Sequence, residues 1–237
     1  MGPTPGGARG CGAATGVGRP ARGAKVVLGA RRTERLEALA ARIEEAGGQA
    51  AWARTDVRRR ADLTALVDLA RTRYGRLDVL VGNAGVGLIS PFDDLRVEDW
   101  EEMIDVNVKG VLYGIAAALP VFRAQGGGHF VNTVSTAGLR VVPLQGVYAA
   151  TKNAVRTLSE GLRQEAGADL RVTLISPGVT RTEFADPMAP EMKARILPGM
   201  EEIGLAPEAV ARAVAFAVEQ PAGVDVGDIV VRPTAQN

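Results

Sequence analysis

Short apolar runs alternate with longer amphipathic stretches from Lys25 to the end of the chain. The apolar runs are nearly continuous, which is typical of strands buried on both faces of a parallel sheet. They predict strands at residues 25–30, 50–54, 78–81, 129–134, 170–175 and 228–232. In the stretches between them, apolar residues recur every three or four positions, as on one face of a helix. They predict helices near residues 33–46, 61–74, 97–122, 148–165 and 207–218.

This alternation of strand and helix predicts the fold class. Right-handed crossovers place helices on both faces of a parallel sheet, which gives a doubly wound α/β architecture. Ligands bind such sheets outside the carboxyl ends of the strands, and Gly82, Ser135 and Pro177 stand at three of these ends. The length of 237 residues suits one such domain, so we expect a single domain over residues 1–237.

Composition and charge narrow the function classes. Apolar residues make up 46% of the chain and charged residues 23%, which are ordinary values for a globular domain. The net charge is +1, and the 28 basic and 27 acidic residues are spread along the chain. No charged block therefore indicates a nucleic acid or an anionic membrane as a partner, and we expect a small-molecule ligand.

Cysteine and histidine are scarce. Cys11 is the only cysteine, which excludes an internal disulfide framework and fits a reducing compartment. We see no apolar run of membrane-spanning length and no secretory signal in residues 1–9, so we expect a cytoplasmic protein. His129 is the only histidine, and because it follows three glycines we expect it to be exposed. With no ligand spacing between them, these two residues predict no metal site.

Tyr148 and Lys152 carry the clearest chemical signal. They are four residues apart, so a helix places them on one side, while Ser135 stands where a strand gives way to a loop. A ketone that accepts hydride develops negative charge on its oxygen and needs a proton donor within hydrogen-bonding reach. A tyrosine, whose free pKa is about 10, can be that donor if a nearby ammonium lowers its pKa.

Each of these residues also has a simpler interpretation when taken alone. Ser135 could form a turn, Tyr148 could be a half-buried interface residue, and Lys152 could be solvated on a helix. Asn107, which falls inside a predicted helix, could simply bond a nearby carbonyl. Their joint occurrence in this order favours catalysis.

The Tyr148-xxx-Lys152 spacing, with Ser135 thirteen residues earlier and Asn83-Ala84-Gly85 ending a strand, resembles the short-chain dehydrogenase/reductase family. The likeness covers residues 25–237. It implies a Rossmann-like fold and an NAD(P)-dependent oxidoreductase that interconverts a secondary alcohol and a ketone by hydride transfer. Gly82 departs from the asparagine that is usual there, a change that a backbone-defined turn should tolerate.

The resemblance also implies roles for individual residues. Tyr148 would be the general acid/base, Lys152 and Ser135 its partners, and Asn107 a fourth member that holds a water linking Lys152 to solvent. Asp56 would lie at the adenine. The implied cofactor-binding residues are Gly6, Arg9, Gly10, Gly12, Arg31, Arg32, Asp56, Val57, Asn83, Ala84, Gly85, Tyr148, Lys152, Pro177, Gly178, Val179 and Thr182.

Arg31 and Arg32 bear on the choice of cofactor. They follow the strand at residues 25–30, where an NAD-preferring site usually holds an acidic residue for the ribose hydroxyl. Arginine instead suits the 2′-phosphate of NADP, so we favour NADP over NAD. The alternative is that both arginines are solvated loop residues.

Residues 1–23 are atypical for the family. Gly6, Gly10 and Gly12 match the spacing of its phosphate-binding turn, and a competing register at residues 15–18 leaves too few residues for the following helix. The segment before the turn is too short and too rich in Gly and Pro for an ordinary buried strand, so we predict a first strand that is missing or degraded. Gly16, Gly18 and Pro20 together would cost the next helix roughly 5 kcal/mol. We therefore expect weak cofactor binding and reduced stability.

Residues 179–205 lack clear periodicity and carry Pro187, Pro190 and Pro198, which predicts a mobile substrate-binding segment of short helical pieces. Apolar candidates for the pocket wall are Phe184, Met188, Met192, Leu197, Val141, Val142 and Leu144. Arg181, Lys193 and Arg195 would suit a hydroxy acid.

The best-supported interpretation is an NADP-dependent alcohol dehydrogenase or ketoreductase. The alternative is a catalytically impaired protein of the same fold with a binding or structural role, because the catalytic pattern is intact while the phosphate turn is not. Two long predicted helices, near residues 97–122 and 148–165, would expose apolar faces in a monomer, so we expect a homodimer or homotetramer.

Overall fold

The structure is a computed structural model that describes residues 3–5 and 24–236. Its strands are β1 (Pro3–Pro5), β2 (Lys25–Ala30), β3 (Gln49–Arg54), β4 (Val79–Gly82), β5 (Gly128–Thr133), β6 (Leu170–Pro177) and β7 (Asp228–Val231). Its α-helices are α1 (Thr33–Glu45), α2 (Arg60–Tyr74), α3 (Val97–Met103), α4 (Gly110–Gln125), α5 (Gly146–Ala166), α6 (Pro190–Ile203) and α7 (Pro207–Glu219). A π-helix, Ile104–Lys109, joins α3 to α4, and 3₁₀ turns lie at Phe92–Asp94, Thr136–Gly138 and Glu183–Ala185.

All strand pairs are parallel. One set has the order β1-β2-β3 and the other β4-β5-β6-β7, and β1 also contacts β4, which brings the two sets side by side. Strands that follow one another as parallel neighbours need helical crossovers, and helices separate them along the chain. The predicted doubly wound, Rossmann-like α/β fold is confirmed.

The first strand is short rather than missing. Pro3, Thr4 and Pro5 pair with Val27, Leu28 and Gly29 of β2, so three residues stand beside a strand of six. Proline has no N–H, so within β1 only Thr4 can donate a backbone hydrogen bond. Of the two alternatives in our prediction, a missing or a degraded first strand, the structure shows the second. The predicted turn residues Gly6, Arg9, Gly10 and Gly12 lie outside the described residues.

Both faces of the sheet are covered. On one face Phe130 of β5 meets Phe122 of α4 edge to face, with ring centroids 4.9 Å apart. On the other face Val131 and Ile175 pack in one apolar cluster with Val210 and neighbouring residues of α7. This two-sided burial explains why the strands read as continuous apolar runs. Because β4, β5 and β6 are parallel, their carboxyl ends lie along one edge.

The helical stretch Val97–Gln125 is, by length and composition, the one stretch in the described residues that could cross a membrane. We saw no such run in the sequence, because charged residues interrupt its first half. In the fold, Phe122 and Ala118 are fully buried in the cluster beneath the sheet. A Cβ on Gly114 would lie 3.2 Å from Leu80 of β4. The stretch is thus part of the helical layer.

His129 is buried, and our prediction of an exposed side chain was wrong. The residue is the second of β5, paired with Val79 on one side and Arg171 on the other, and only 1% of it is exposed. Its Nε2 lies 2.8 Å from the Thr173 hydroxyl. The last of the three glycines before it, Gly128, is the first residue of β5, so the glycines do not place His129 in a loop.

Candidate active site

A cavity of about 660 Å³ lies at the carboxyl ends of the strands. Its wall combines residues that follow β2, β3, β4, β5 and β6, which is where the fold predicts a ligand. The predicted site residues that line it are Arg31, Arg32, Asp56, Val57, Asn83, Ala84, Gly85, Ser135, Tyr148, Lys152, Pro177, Gly178, Val179 and Thr182. Asn107 does not line it but lies directly behind Gly85.

Ser135 is held by the turn that it begins. It follows β5 in extended conformation and caps the 3₁₀ turn Thr136–Gly138, its Oγ accepting a hydrogen bond of 3.1 Å from the Ala137 N–H. Serine is a favoured residue at such a position because its oxygen satisfies a free N–H. The hydroxyl also interacts with the phenol of Tyr148.

Tyr148 lies in the first turn of α5 and is buried against Phe184, with ring centroids 5.5 Å apart. Burial raises the pKa of its phenol to about 12, and the hydrogen bond with Ser135 only partly offsets this. We predicted a lowered pKa, which is wrong for this structure. The reason is desolvation of the phenolate, and the Lys152 Nζ stands 5.9 Å from the ring centroid.

Lys152 lies one helical turn further along α5. Its Nζ donates a hydrogen bond of 3.0 Å to the carbonyl oxygen of Thr133 at the end of β5. Burial lowers the pKa of its ammonium to about 8. The spacing prediction is met, because Tyr148 and Lys152 face the same cavity from the same side of the helix.

Asn107 lies in the π-helix and its side-chain amide is bound by protein groups. Its Oδ1 accepts from the Val86 N–H at 2.8 Å, and its Nδ2 donates to the Val86 carbonyl at 2.9 Å and to the Thr151 hydroxyl at 3.0 Å. This matches the simpler interpretation of an asparagine that bonds nearby backbone. A Cβ on Gly85 would lie 3.2 Å from the Lys152 Nζ and 3.4 Å from the Asn107 Oδ1, so Gly85 lies between the two side chains.

Gly82 makes room for a neighbouring strand. A Cβ there would lie 2.6 Å from the Asn132 Oδ1, and Asn132 donates a hydrogen bond of 3.0 Å to the buried Ser159 hydroxyl. This chain thus has a glycine at position 82, where asparagine is usual, beside a buried asparagine, Asn132, on β5. The sequence held no signal for this pairing, because it joins separate strands.

Charged residues line the cavity end beside β2 and β3. Asp56 is bound by Arg58, with Nε–Oδ1 and Nη2–Oδ2 distances of 3.0 and 2.6 Å, and these hydrogen bonds lower the pKa of its carboxyl. Arg58 also contacts Glu102 at 2.8 Å, while Arg31 lies 3.7 Å from the same carboxylate. This network holds Asp56 at the cavity wall.

Arg32 is bound across the cavity. Its Nη2 lies 3.0 Å from Oε2 of Glu183, and Arg35 binds the other oxygen of that carboxylate. Arg32 is therefore ion-paired rather than simply solvated. Glu183 also lines the cavity, and the sequence analysis did not single it out.

The segment over the cavity is more regular than predicted. Helix α6 runs through Pro198, with Pro190 at its first turn, where proline is well tolerated. Of the seven apolar candidates, Phe184 and Val142 line the cavity, while Met188, Met192, Leu197, Val141 and Leu144 do not. Ile196 and Met200, four residues apart on α6, line it instead. Leu197 lies on another side of the same helix.

The predicted basic residues of this segment do not line the cavity either. Lys193 forms an ion pair of 2.8 Å with Asp186, and Arg181 and Arg195 lie away from the cavity wall. Arg140 and Arg232 line it instead, near the backbone of Thr136 and of Gly178 respectively.

Comparison with known proteins identifies the family. A family model described as short chain dehydrogenase matches residues 5–193. A protein named as an uncharacterized oxidoreductase of Listeria innocua is 42% identical over 235 residues, which cover 98% of this chain and 95% of that protein.

Solved structures agree. The closed form of a serine dehydrogenase complexed with NADP+ superposes with a TM-score of 0.91 at 34% identity, covering 100% of this chain and 96% of the other. A short chain dehydrogenase/reductase of Burkholderia phymatum in complex with NAD gives a TM-score of 0.88 at 27% identity, covering 97% and 88%. The fold, the matched family model and these likenesses together show that the chain is an oxidoreductase of the short-chain dehydrogenase family.

Proposed function

We propose that the protein interconverts a secondary alcohol and a ketone by hydride transfer, with NADP preferred over NAD as cofactor. The observation that carries the proposal is the convergence of Ser135, Tyr148 and Lys152 on one cavity whose other end holds Arg31, Arg32 and Asp56. The related serine dehydrogenase binds NADP+ and the Burkholderia protein binds NAD, which supports a nicotinamide cofactor.

The cavity suits a dinucleotide in size and lining. Its volume of about 660 Å³ lies within the usual range of ligand pockets. Gly85 and Gly178 are wall positions where a side chain would collide with protein atoms: a Cβ on Gly178 would lie 2.1 Å from the Gln236 Oε1, and a Cβ on Gly85 would lie 3.2 Å from the Lys152 Nζ. Asp56, Val57, Asn83, Ala84, Pro177, Val179 and Thr182 would complete the binding surface, as the resemblance implies. The roles of Gly6, Arg9, Gly10 and Gly12 stay a prediction.

When bound, the nicotinamide ring supplies or accepts the hydride. In ketone reduction, the neutral phenol of Tyr148 would donate its proton to the developing alkoxide oxygen. A raised pKa suits this direction, because it keeps the phenol protonated until that charge develops. The Ser135 hydroxyl would donate a hydrogen bond to the same oxygen and hold it beside the phenol.

Lys152 and Asn107 would act around the tyrosine. An ammonium behind the phenol stabilises its anion, so Lys152 would favour proton transfer while its hydrogen bond to Thr133 fixes its position. Asn107 would position this part of the wall by binding both backbone groups of Val86. An amide oxygen can accept two hydrogen bonds, so the water that would link Asn107 and Lys152 to solvent stays a prediction.

The remaining expectations are part of the same proposal: one domain over residues 1–237 with the substrate segment at 179–205, a small alcohol or ketone as substrate, and a cytoplasmic homodimer or homotetramer. Exposed apolar side chains on the helical stretch Val97–Gln125 support pairing, since Val97, Ile104 and Leu112 are 44%, 44% and 40% exposed. Size-exclusion chromatography with light scattering would test the assembly, and a monomer would contradict it.

The test of the reaction is oxidation of NADPH or NADH with a panel of small ketones and oxo acids. Tyr148→Phe should lower kcat/KM by about 10²- to 10⁴-fold, because a phenyl ring has no proton to donate. Tyr113→Phe is the matched control, since Tyr113 lies on α4 and does not line the cavity. Activity that survives in Tyr148→Phe would refute the role of the tyrosine. Binding of NADPH without turnover of any substrate would favour the alternative, a binding protein.

A further inference from the structure

One carboxylate joins the two walls of the cavity. Glu183 opens the 3₁₀ turn after β6, whereas Arg32 and Arg35 stand at the start of α1 after β2. Each oxygen of Glu183 takes one arginine: Oε2 lies 3.0 Å from the Arg32 Nη2, and Oε1 binds Arg35. The two guanidinium groups lower the pKa of the Glu183 carboxyl, so it is an anion at neutral pH.

This ion pair lies at the adenosine end of the cavity. Arg32 and Glu183 line the cavity together with Arg31 and Asp56. Among the described residues, Arg31 has a long contact of 3.7 Å with Glu102. Arg58 forms ion pairs with Asp56 and Glu102. Of the two arginines that line this end of the cavity, Arg31 and Arg32, it is Arg32 that forms an ion pair at hydrogen-bonding distance.

The next residue ties this ion pair to the catalytic end. Phe184 packs edge to face on the Tyr148 ring and lies against Gly87, where a Cβ would stand 2.0 Å from the Phe184 Cζ. One dipeptide thus contacts both the arginines beside the adenosine end and the proposed proton donor.

We propose that Glu183 is a cofactor-specificity residue that competes with the 2′-phosphate of NADP for Arg32. The inference rests on the proposed function, because it assumes that a nicotinamide dinucleotide places its adenosine ribose beside Arg31 and Arg32. A 2′-phosphate at Arg32 would be a second anion beside the Glu183 carboxylate, and like charges so placed repel. A 2′-hydroxyl brings no charge and leaves the ion pair intact. Glu183 thus reduces the preference for NADP that two arginines would otherwise produce.

Calorimetric titration with adenosine fragments isolates this end of the cavity. For Glu183→Gln we expect affinity for 2′,5′-ADP to rise by about three- to tenfold and affinity for 5′-AMP to stay unchanged, with a smaller difference at high salt. The ratio of the NADPH and NADH dissociation constants should shift in the same direction. Glutamine keeps the size and hydrogen-bonding shape of the side chain, so the variant removes charge rather than packing.

Two controls separate competition from other effects. Glu191→Gln removes the same charge from α6 at an exposed residue that does not line the cavity, and it should leave the ratio unchanged. In an Arg32→Gln background, Glu183→Gln should have a smaller effect than in the wild type, because competition for the guanidinium is gone and only direct repulsion between carboxylate and phosphate remains.

The outcomes are distinguishable. Equal changes in affinity for 2′,5′-ADP and 5′-AMP would mean that Glu183 only shapes the cavity wall. An unchanged or reversed ratio of the NADPH and NADH dissociation constants would mean that Glu183 does not compete with the 2′-phosphate. Either result overturns this inference and leaves the proposed function standing. If the wild-type protein binds neither NADPH nor NADH, both fail together.

Discussion

The ammonium of Lys152 donates a hydrogen bond of 3.0 Å to the backbone carbonyl of Thr133. Thr133 is the last residue of β5, and Ser135 follows it after one residue. The helix that carries the tyrosine and the strand that leads to the serine are thus joined through the lysine itself. The geometry of the three side chains therefore depends on a backbone oxygen, which side-chain substitution at Thr133 leaves in place.

Replacing Lys152 should separate stability from activity. Its folded-state pKa of about 8 lies below the ordinary value of 10.5, so the charged form is disfavoured in the folded protein. This penalty is present below pH 8 and fades as the pH rises to 10.5. Lys152→Met removes this penalty and also the hydrogen bond to Thr133, so its effect on the unfolding free energy should be more favourable at pH 7 than at pH 10.5 by on the order of 1–3 kcal/mol, while turnover is lost.

Thermal unfolding at the two pH values, with turnover assays, checks this prediction. Lys193→Met is the control, because Lys193 pairs with Asp186 at the surface and its removal should change stability by less than about 1 kcal/mol. An effect of Lys152→Met on stability that is the same at pH 7 and at pH 10.5 would contradict the prediction.

Alcohol oxidation should quicken with rising pH. In this direction Tyr148 must accept a proton, so the reactive form is the phenolate, and a pKa of about 12 makes that form scarce at neutral pH. The logarithm of kcat/KM for oxidation should climb with pH through 7–10, while kcat/KM for reduction should not climb with it. Steady-state assays in both directions measure this. A plateau in oxidation below pH 8 would show that the phenol ionises with a lowered pKa after all.

Asn107→Ala should destabilise the fold as well as the site. The change leaves the Val86 N–H and carbonyl without their side-chain partner in a buried place, at a cost of about 2–4 kcal/mol. Asn153→Ala removes a single bond of 3.3 Å from an exposed asparagine and should cost less than about 1 kcal/mol. Urea denaturation of both variants measures the difference, and equal costs would contradict it.

Two glycine-to-alanine changes should have opposite signs. Gly82→Ala would push a methyl group to 2.6 Å from the Asn132 Oδ1 and should cost about 1–3 kcal/mol. Gly161→Ala lies inside α5 with nothing within 4 Å of the new carbon, so it should stabilise the protein by up to about 1 kcal/mol. Denaturation midpoints of both variants and the wild type measure these changes. An unchanged stability in Gly82→Ala would mean that Asn132 moves freely.

The fold and the centre of the site could be predicted because both follow from short-range patterns. Apolar periodicity identifies the strands, and parallel strands bring their carboxyl ends to one edge. Ser135, Tyr148 and Lys152 line one cavity for that reason. The four-residue spacing of Tyr148 and Lys152 alone predicts that they share one side of α5, without information from the rest of the chain.

What could not be predicted depends on long-range contacts. Glu183 is 151 residues from Arg32 and 148 from Arg35, and no local pattern links them. The raised pKa of Tyr148 follows from how completely the fold buries its phenol, an effect larger than that of the hydrogen bond with Ser135. The exposure of His129 was misjudged for the same reason, since strands on either side of β5 bury it.

The π-helix at Ile104–Lys109 determines how α4 is rotated about its axis relative to α3. Its wider turns take up an additional residue, so α4 continues at an angle that an unbroken α-helix from α3 would not give. Deleting one residue here would rotate α4 by about 100° relative to α3. Gly114 would turn away from Leu80 and Gly110 away from Val57, where backbone and side chain now approach closely. This short segment should therefore admit almost no change in residue count.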